Sequence, residues 1–280
     1  KRKSKSWLKS EIRSSKEYIM KNKVSITPVN FSNINIVTFA SHGQYITKQN
    51  EVSDIFIKKG YNVHNWTNDT LNTHGYLDKI TNLLKNCSII ENDDERVKRA
   101  MFYMWKPVVV YETMKKIKDG EFLIYTDLDR CYNYDYDVSV EQFTEIVELL
   151  FGGVFVIFGL FSNKEHSKRR VFDEMKCHSV EYLNHKQAAA TWLVFQKNPR
   201  SCELIEEWLH WCLHDSLIIS ANTGPLPEYN CFKRNSHDQA ILTNLLIQKS
   251  KSDELIKLPS ITDLEPLTWE KNMKGTMKLY

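Results

Sequence analysis

The sequence lacks any run of about 18 apolar residues, the length a helix needs to cross a bilayer, so the chain as given carries no membrane-spanning helix. It also lacks an excess of one charge: 38 Lys and Arg stand against 35 Asp and Glu, a formal net charge of +3. That removes the whole-surface basic field on which nucleic-acid binding rests, and nucleic acid is not an expected partner. Cys87, Cys131, Cys177, Cys202, Cys212 and Cys231 are spread without a CxxC pair or Cys/His metal spacing, which argues against a structural zinc site and leaves the redox compartment open. Internal repeats and low-complexity linkers are missing as well, so an array of small units is not expected.

What is present suits one large domain. A chain of 280 residues can bury a sizeable core, and 42% hydrophobic with 26% charged residues rules out disorder throughout. Local charge is less even. The opening KRKSKSWLKSEIRSSK carries most of the basic imbalance and reads as a solvated tail, a juxtamembrane stalk or a contact for acidic lipid, which would bring the protein near a membrane. The chain starts at Lys1 without methionine; the expectation is a processed or trimmed protein, soluble as given, either the lumenal or the cytosolic catalytic part of an anchored one. Sequons at Asn30, Asn65, Asn68 and Asn86 carry little weight in an Asn-rich chain.

Hydrophobic patterning predicts alternating strands and helices. Trp7, Leu8, Ile12 and Ile19 have amphipathic-helix spacing over residues 5 to 21. Ile34 to Ala40 reads as a buried strand followed by the turn Ser41-His42-Gly43, a helix from Glu51 stops at Gly60, and Tyr61 to Trp66 reads as the next strand. Helix is expected around Leu77 to Leu84, and again from Pro107 through Val108 to Ile117. Phe122 to Thr126 is then a short apolar strand ending abruptly at Asp127, Asp129 and Arg130. Ser139 and Gln142 resemble a capping box for a helix over 140 to 151. Val154 to Phe158 and Thr191 to Phe195 read as strands. Pro199 to Leu213 is a helix with the core stripe Leu204, Ile205, Trp208, Trp211 and Cys212, Ala221 to Asn235 a loop, and Asp238 to Gln248 a helix. The expected fold class is α/β, a mostly parallel central sheet flanked by helices.

Asp127 and Asp129, two residues apart just after a buried strand, can both turn toward one divalent ion at the carboxyl edge of such a sheet. Oxygen ligands select hard cations such as Mg²⁺ or Mn²⁺, which complete their shell with phosphate oxygens and water. The plain alternative is a turn in which Asp129 pairs with Arg130 or caps a neighbour.

The stretch YMWKPVVVYETMKKIKDGEFLIYTDLD, from Tyr103 to Asp129, resembles the segment of DxD-motif glycosyltransferases of the GT-A fold in which Trp-Lys-Pro opens a helix and an apolar strand delivers the acidic motif. SKRRVFDEM, HKQAAATWLVFQKNPRSCELIEEWLHWC and HDQAILTNLL resemble later blocks in the same order. The chain departs from the pattern at Arg130, beside the motif, and at Arg170, where an acidic residue is common. The resemblance implies a basic N-terminal helix or stalk over 1–30 and one GT-A (Rossmann-like) domain over 31–280, divided into a nucleotide-sugar-binding half, 31–135, and an acceptor half, 136–280. It implies a glycosyltransferase moving sugar from a nucleotide-diphosphate donor, UDP-sugar favoured, to a glycan or glycoprotein acceptor, with Mn²⁺ or Mg²⁺ at Asp127 and Asp129. On the matching positions, Thr38, Ala40, Arg99, Trp105, Lys106, Asp127, Leu128 and Gln187 would contact the donor, His237 would be a third metal ligand, and Asp238 would stand at the reacting centre. Two other readings stay open: a non-catalytic nucleotide-sugar- or carbohydrate-binding protein of the same fold, and a DxD phosphatase, against which stands Arg130-Cys131 where Gly-Thr would be needed.

Overall fold

The computed structural model describes residues 29–86, 101–128, 153–214, 218 and 226–252. The helices expected over 5 to 21 and 140 to 151, and the candidate residues Arg99 and Asp129, lie outside the described residues.

Five strands, β1 (Ile34–Ala40), β2 (Asn62–Thr67), β3 (Phe122–Thr126), β4 (Val154–Ser162) and β5 (Lys186–Gln196), form one sheet in the order β2-β1-β3-β5-β4. β1 pairs in parallel with β2 and β3, whereas β5 runs antiparallel to both β3 and β4. Four strands therefore share a direction. The fold is α/β, a mostly parallel sheet flanked by helices, as its sequence pattern predicts. β1 and β3 are buried along their whole length, as expected of inner strands covered on both faces.

Strand alternation sorts the core into two layers. Ile34, Ile36, Phe122, Ile124 and Val194 face α1 (Gly43–Lys58), which contributes Val52 and Phe56. Val37, Phe39, Leu123, Tyr125, Leu193 and Phe195 face the larger core on the opposite side. That core is built with α2 (Asn68–Thr73), α3 (Tyr76–Asn86), α4 (Trp105–Lys116), α8 (Pro199–His214) and α9 (Asp238–Ser252). Three short helices, α5 (Asn163–His166), α6 (Arg169–Glu174) and α7 (Val180–Asn184), lie between β4 and β5 in the chain.

Several boundaries differ from the sequence reading for local reasons. α1 begins at Gly43, well before Glu51, and closes where Gly60 takes a positive φ of 91°. α4 begins at Trp105, so Pro107 is its third residue; the first turn has N–H groups without helical partners, and proline loses nothing there. At the start of β4, Gly153 has φ 88°, and a Cβ there would lie 2.0 Å from Asn198 Nδ2, so a side chain is excluded.

β5 is the strand that shapes the site. Thr126, the last residue of β3, pairs with Trp192, so Lys186 to Thr191 run past the carboxyl end of β3. At roughly 3.3 Å per residue that is a projection of about 20 Å. The projecting part pairs with the end of β4 through Phe158 with Ala188 and Ser162 with Lys186, with register shifts on either side of Phe158.

Candidate functional site

The corner where β3 ends and α4 and α9 begin gathers three charged groups. Asp127 follows β3 directly, and its backbone N–H donates to the Thr191 carbonyl of β5 at 2.9 Å. Tyr125, two residues earlier and so on the same side of the strand, donates its hydroxyl to Asp127 Oδ1. Lys106, the second residue of α4, donates from Nζ to the Ala190 carbonyl at 2.9 Å. The same Nζ lies 3.4 Å from Asp127 Oδ1 and 3.6 Å from Asp238 Oδ2. Asp238 opens α9, where the positive end of the helix dipole favours a carboxylate, and its carbonyl accepts from the Trp208 indole at 3.0 Å.

Exposure separates the roles. The Lys106 and Asp238 side chains are 4% and 3% exposed while Asp127 retains 23%, so Asp127 is the member of the cluster that reaches solvent. One buried cation faces two carboxylates. Burial would lower the Lys106 ammonium, but Asp127 and then Asp238 outweigh it and hold the group above its ordinary range, which keeps it charged. Burial pushes the Asp238 carboxyl up; Lys106 pulls it back in part, Asp127 adds to the rise, and the result is about 7. Asp238 Oδ2 has no hydrogen-bond partner among the described residues, since 3.6 Å from the ammonium is ion-pair but not hydrogen-bond distance.

Aromatic rings enclose the ammonium. Its nitrogen lies 5.3, 5.2 and 5.9 Å from the ring centres of Tyr103, Tyr125 and Trp105, within cation–π range. Trp105 in turn stacks on Phe39 of β1 at 4.1 Å. Met101, Phe102 and Tyr103 take φ of 50°, 49° and 63°, and His237 takes 50°. Left-handed backbone at four non-glycine residues costs of the order of 1–3 kcal/mol each, and such strain clusters where side chains must be aimed. Here it sets the Phe102 and Tyr103 rings 5.3 and 5.9 Å from the His237 ring. Tyr103 thus touches both Lys106 and His237.

Trp105, Lys106, Asp127 and Asp238 therefore meet in this corner, with His237 joined to it through Tyr103, and Leu128 is buried beside Asp127. Thr38 and Ala40 lie at the end of β1 on the α1 face, the side opposite Tyr125. The Thr38 hydroxyl accepts from Gln49 and donates to Asn65. Gln187 sits on the projecting part of β5; its amide donates to the His166 carbonyl and Ser167 Oγ at 2.9 Å, and its oxygen accepts from Gln239 at 2.7 Å. Gln239 is the neighbour of Asp238, which links this second network to the corner. The sequence reading missed Tyr125 and Tyr103. The i, i+2 relation of Tyr125 to Asp127 on a strand was the signal for the first; nothing in the sequence marks the left-handed turn that places the second.

Among the described residues no group of three or more His, Cys, Asp or Glu is disposed to hold a metal. Asp127 is the described carboxylate that a metal could share with a ligand.

No family model matches the chain, and no curated protein matches it. Among solved structures, the apo form of mouse Xyloside xylosyltransferase 1 is similar, with 12% identity and a TM-score of 0.40 over 78% of this chain and 83% of that one. A likeness of that size carries no argument about activity.

Proposed function

We propose that the chain is a glycosyltransferase that moves a sugar from a nucleotide-diphosphate donor, a UDP-sugar in the first instance, to a hydroxyl of a glycan or glycoprotein. The observation that carries this reading is the placement of Asp127: a part-exposed carboxylate at the carboxyl end of an inner strand, backed by a buried ammonium and a second carboxylate. Ligands of open α/β sheets bind at that edge, and the resemblance around Trp105-Lys106-Pro107 and Asp127-Leu128-Asp129 names the ligand class.

Asp127 with Asp129 would hold Mn²⁺ or Mg²⁺, with His237 as a further candidate ligand. The ion would supply neutralisation of the charge on the departing diphosphate. The chain's own groups divide the remaining work. Lys106 and Tyr125 converge on Asp127 Oδ1 and hold that carboxylate in place. Asp238, its carboxyl raised to about 7 by burial, would act on the reacting centre through the Lys106 ammonium that it shares with Asp127. The projecting β4–β5 pair gives the acceptor half a wall beside the reacting centre.

The test is a panel of nucleotide sugars incubated with Mn²⁺, with and without chelator, and read as nucleotide release. Release from one donor that vanishes with chelator and in Asp127→Ala and Asp129→Ala is expected. A wild-type protein that neither hydrolyses nor binds any donor of the panel would refute the reading.

A further inference from the structure

Helix α8 carries metal-ligating chemistry on the side away from the charged corner. Trp208 and Cys212 are buried against the α9 side, with the Trp208 indole on Asp238. His210 and His214 come about 200° further around the helix, where both are exposed. They line a groove of about 510 Å³ shared with Tyr76 and Lys79 of α3 and Tyr111 of α4.

The two histidines are four residues apart, so they stand one above the other on a single face. Their ring centres are 5.2 Å apart, with planes at 42°. Two imidazoles bound to a shared ion at about 2.0–2.1 Å with a tetrahedral angle between them have centres about 5 Å apart. The pair is therefore spaced for chelation. Glu206, one turn before His210, adds negative charge to the groove, and Lys79 opposes it. No third His, Cys, Asp or Glu completes the set among the described residues, so two nitrogens and water would make up the shell. Nitrogen donors favour borderline ions of the zinc class over Mg²⁺ or Mn²⁺.

We propose that His210 and His214 form a two-histidine site for a divalent transition ion of the zinc class, independent of the donor site at Asp127. Binding to the folded protein stabilises it by mass action.

The experiment is calorimetric titration of the full chain with zinc chloride, in a non-thiol reductant and without nucleotide sugar. The wild type should bind one more zinc ion than His210→Ala/His214→Ala, and each single variant should weaken that ion at least tenfold. Zinc should raise the melting temperature of the wild type more than that of the double variant. Both positions are exposed, so the variants should fold, which circular dichroism checks; His178→Ala, an exposed histidine elsewhere, should behave as wild type. In an Asp127→Ala background the double histidine replacement should still remove one zinc ion, so failure of the donor reading leaves this result standing. Equal stoichiometry and affinity in the wild type and the double variant would overturn the site.

Discussion

On the α1 face of the sheet, Thr38, Gln49, Ser53 and Asn65 are neutral groups whose hydrogen bonds close on one another. Gln49 donates to the Thr38 hydroxyl at 2.9 Å and the Trp66 carbonyl at 3.1 Å, and the Thr38 and Ser53 hydroxyls both reach Asn65 Oδ1, at 3.1 and 2.9 Å. On the opposite face, Lys106, Asp127 and Asp238 meet as one cation against two carboxyl groups, with Asp238 Oδ2 left without a hydrogen bond among the described residues. A closed neutral network fixes β1, β2 and α1 together at little cost. A buried cluster with surplus charge costs stability, and groups arranged in that way are commoner where chemistry needs a shifted carboxyl. On the proposed function, the contrast is that between a scaffold and a site.

The largest expected effect is Lys106→Met, which leaves Asp127 and Asp238 facing each other without a cation. Breaking a buried pair from one side costs about 3–5 kcal/mol, to be read from urea denaturation at neutral pH. A loss below about 1 kcal/mol would mean that the corner is solvated and the contrast between the faces is lost. Gln49→Leu should cost less, about 1–3 kcal/mol, because it strands neutral acceptors, and it should leave donor binding untouched.

Asp238→Asn sharpens the comparison through pH. The folded carboxyl is raised from 3.8 to about 7, so the protonated form is the one that folding favours. That contribution is whole below about pH 4 and is lost as pH rises through 7. The variant lacks this dependence, so its melting temperature should gain on the wild type between about pH 4 and 7 and hold a constant difference above. A constant difference across the whole range would show that Asp238 titrates normally.

β1 and β3 were legible to the residue, because each is a compact apolar run bounded by polar or turn residues. β5 was read only over Thr191 to Phe195; its first half, Lys186 to Ala190, is polar and small, and small residues are poor strand markers. Its antiparallel direction depends on how the chain returns from β4, which no local pattern encodes. At the site, the strand carried Asp127 to view, and Lys106 stood out through Trp-Lys-Pro. The resemblance gives Lys106 as a donor contact; in the structure its ammonium faces Ala190, Asp127 and Asp238. That orientation depends on a partner more than a hundred positions away, beyond the reach of spacing or propensity.

The most direct measurement is calorimetric binding of a UDP-sugar with Mn²⁺ to the wild type, Asp127→Asn and Gln49→Leu under one set of conditions. The account predicts binding to the wild type and to Gln49→Leu with similar affinity, and a loss of about a hundredfold or more in Asp127→Asn. Equal binding by Asp127→Asn and the wild type would contradict it.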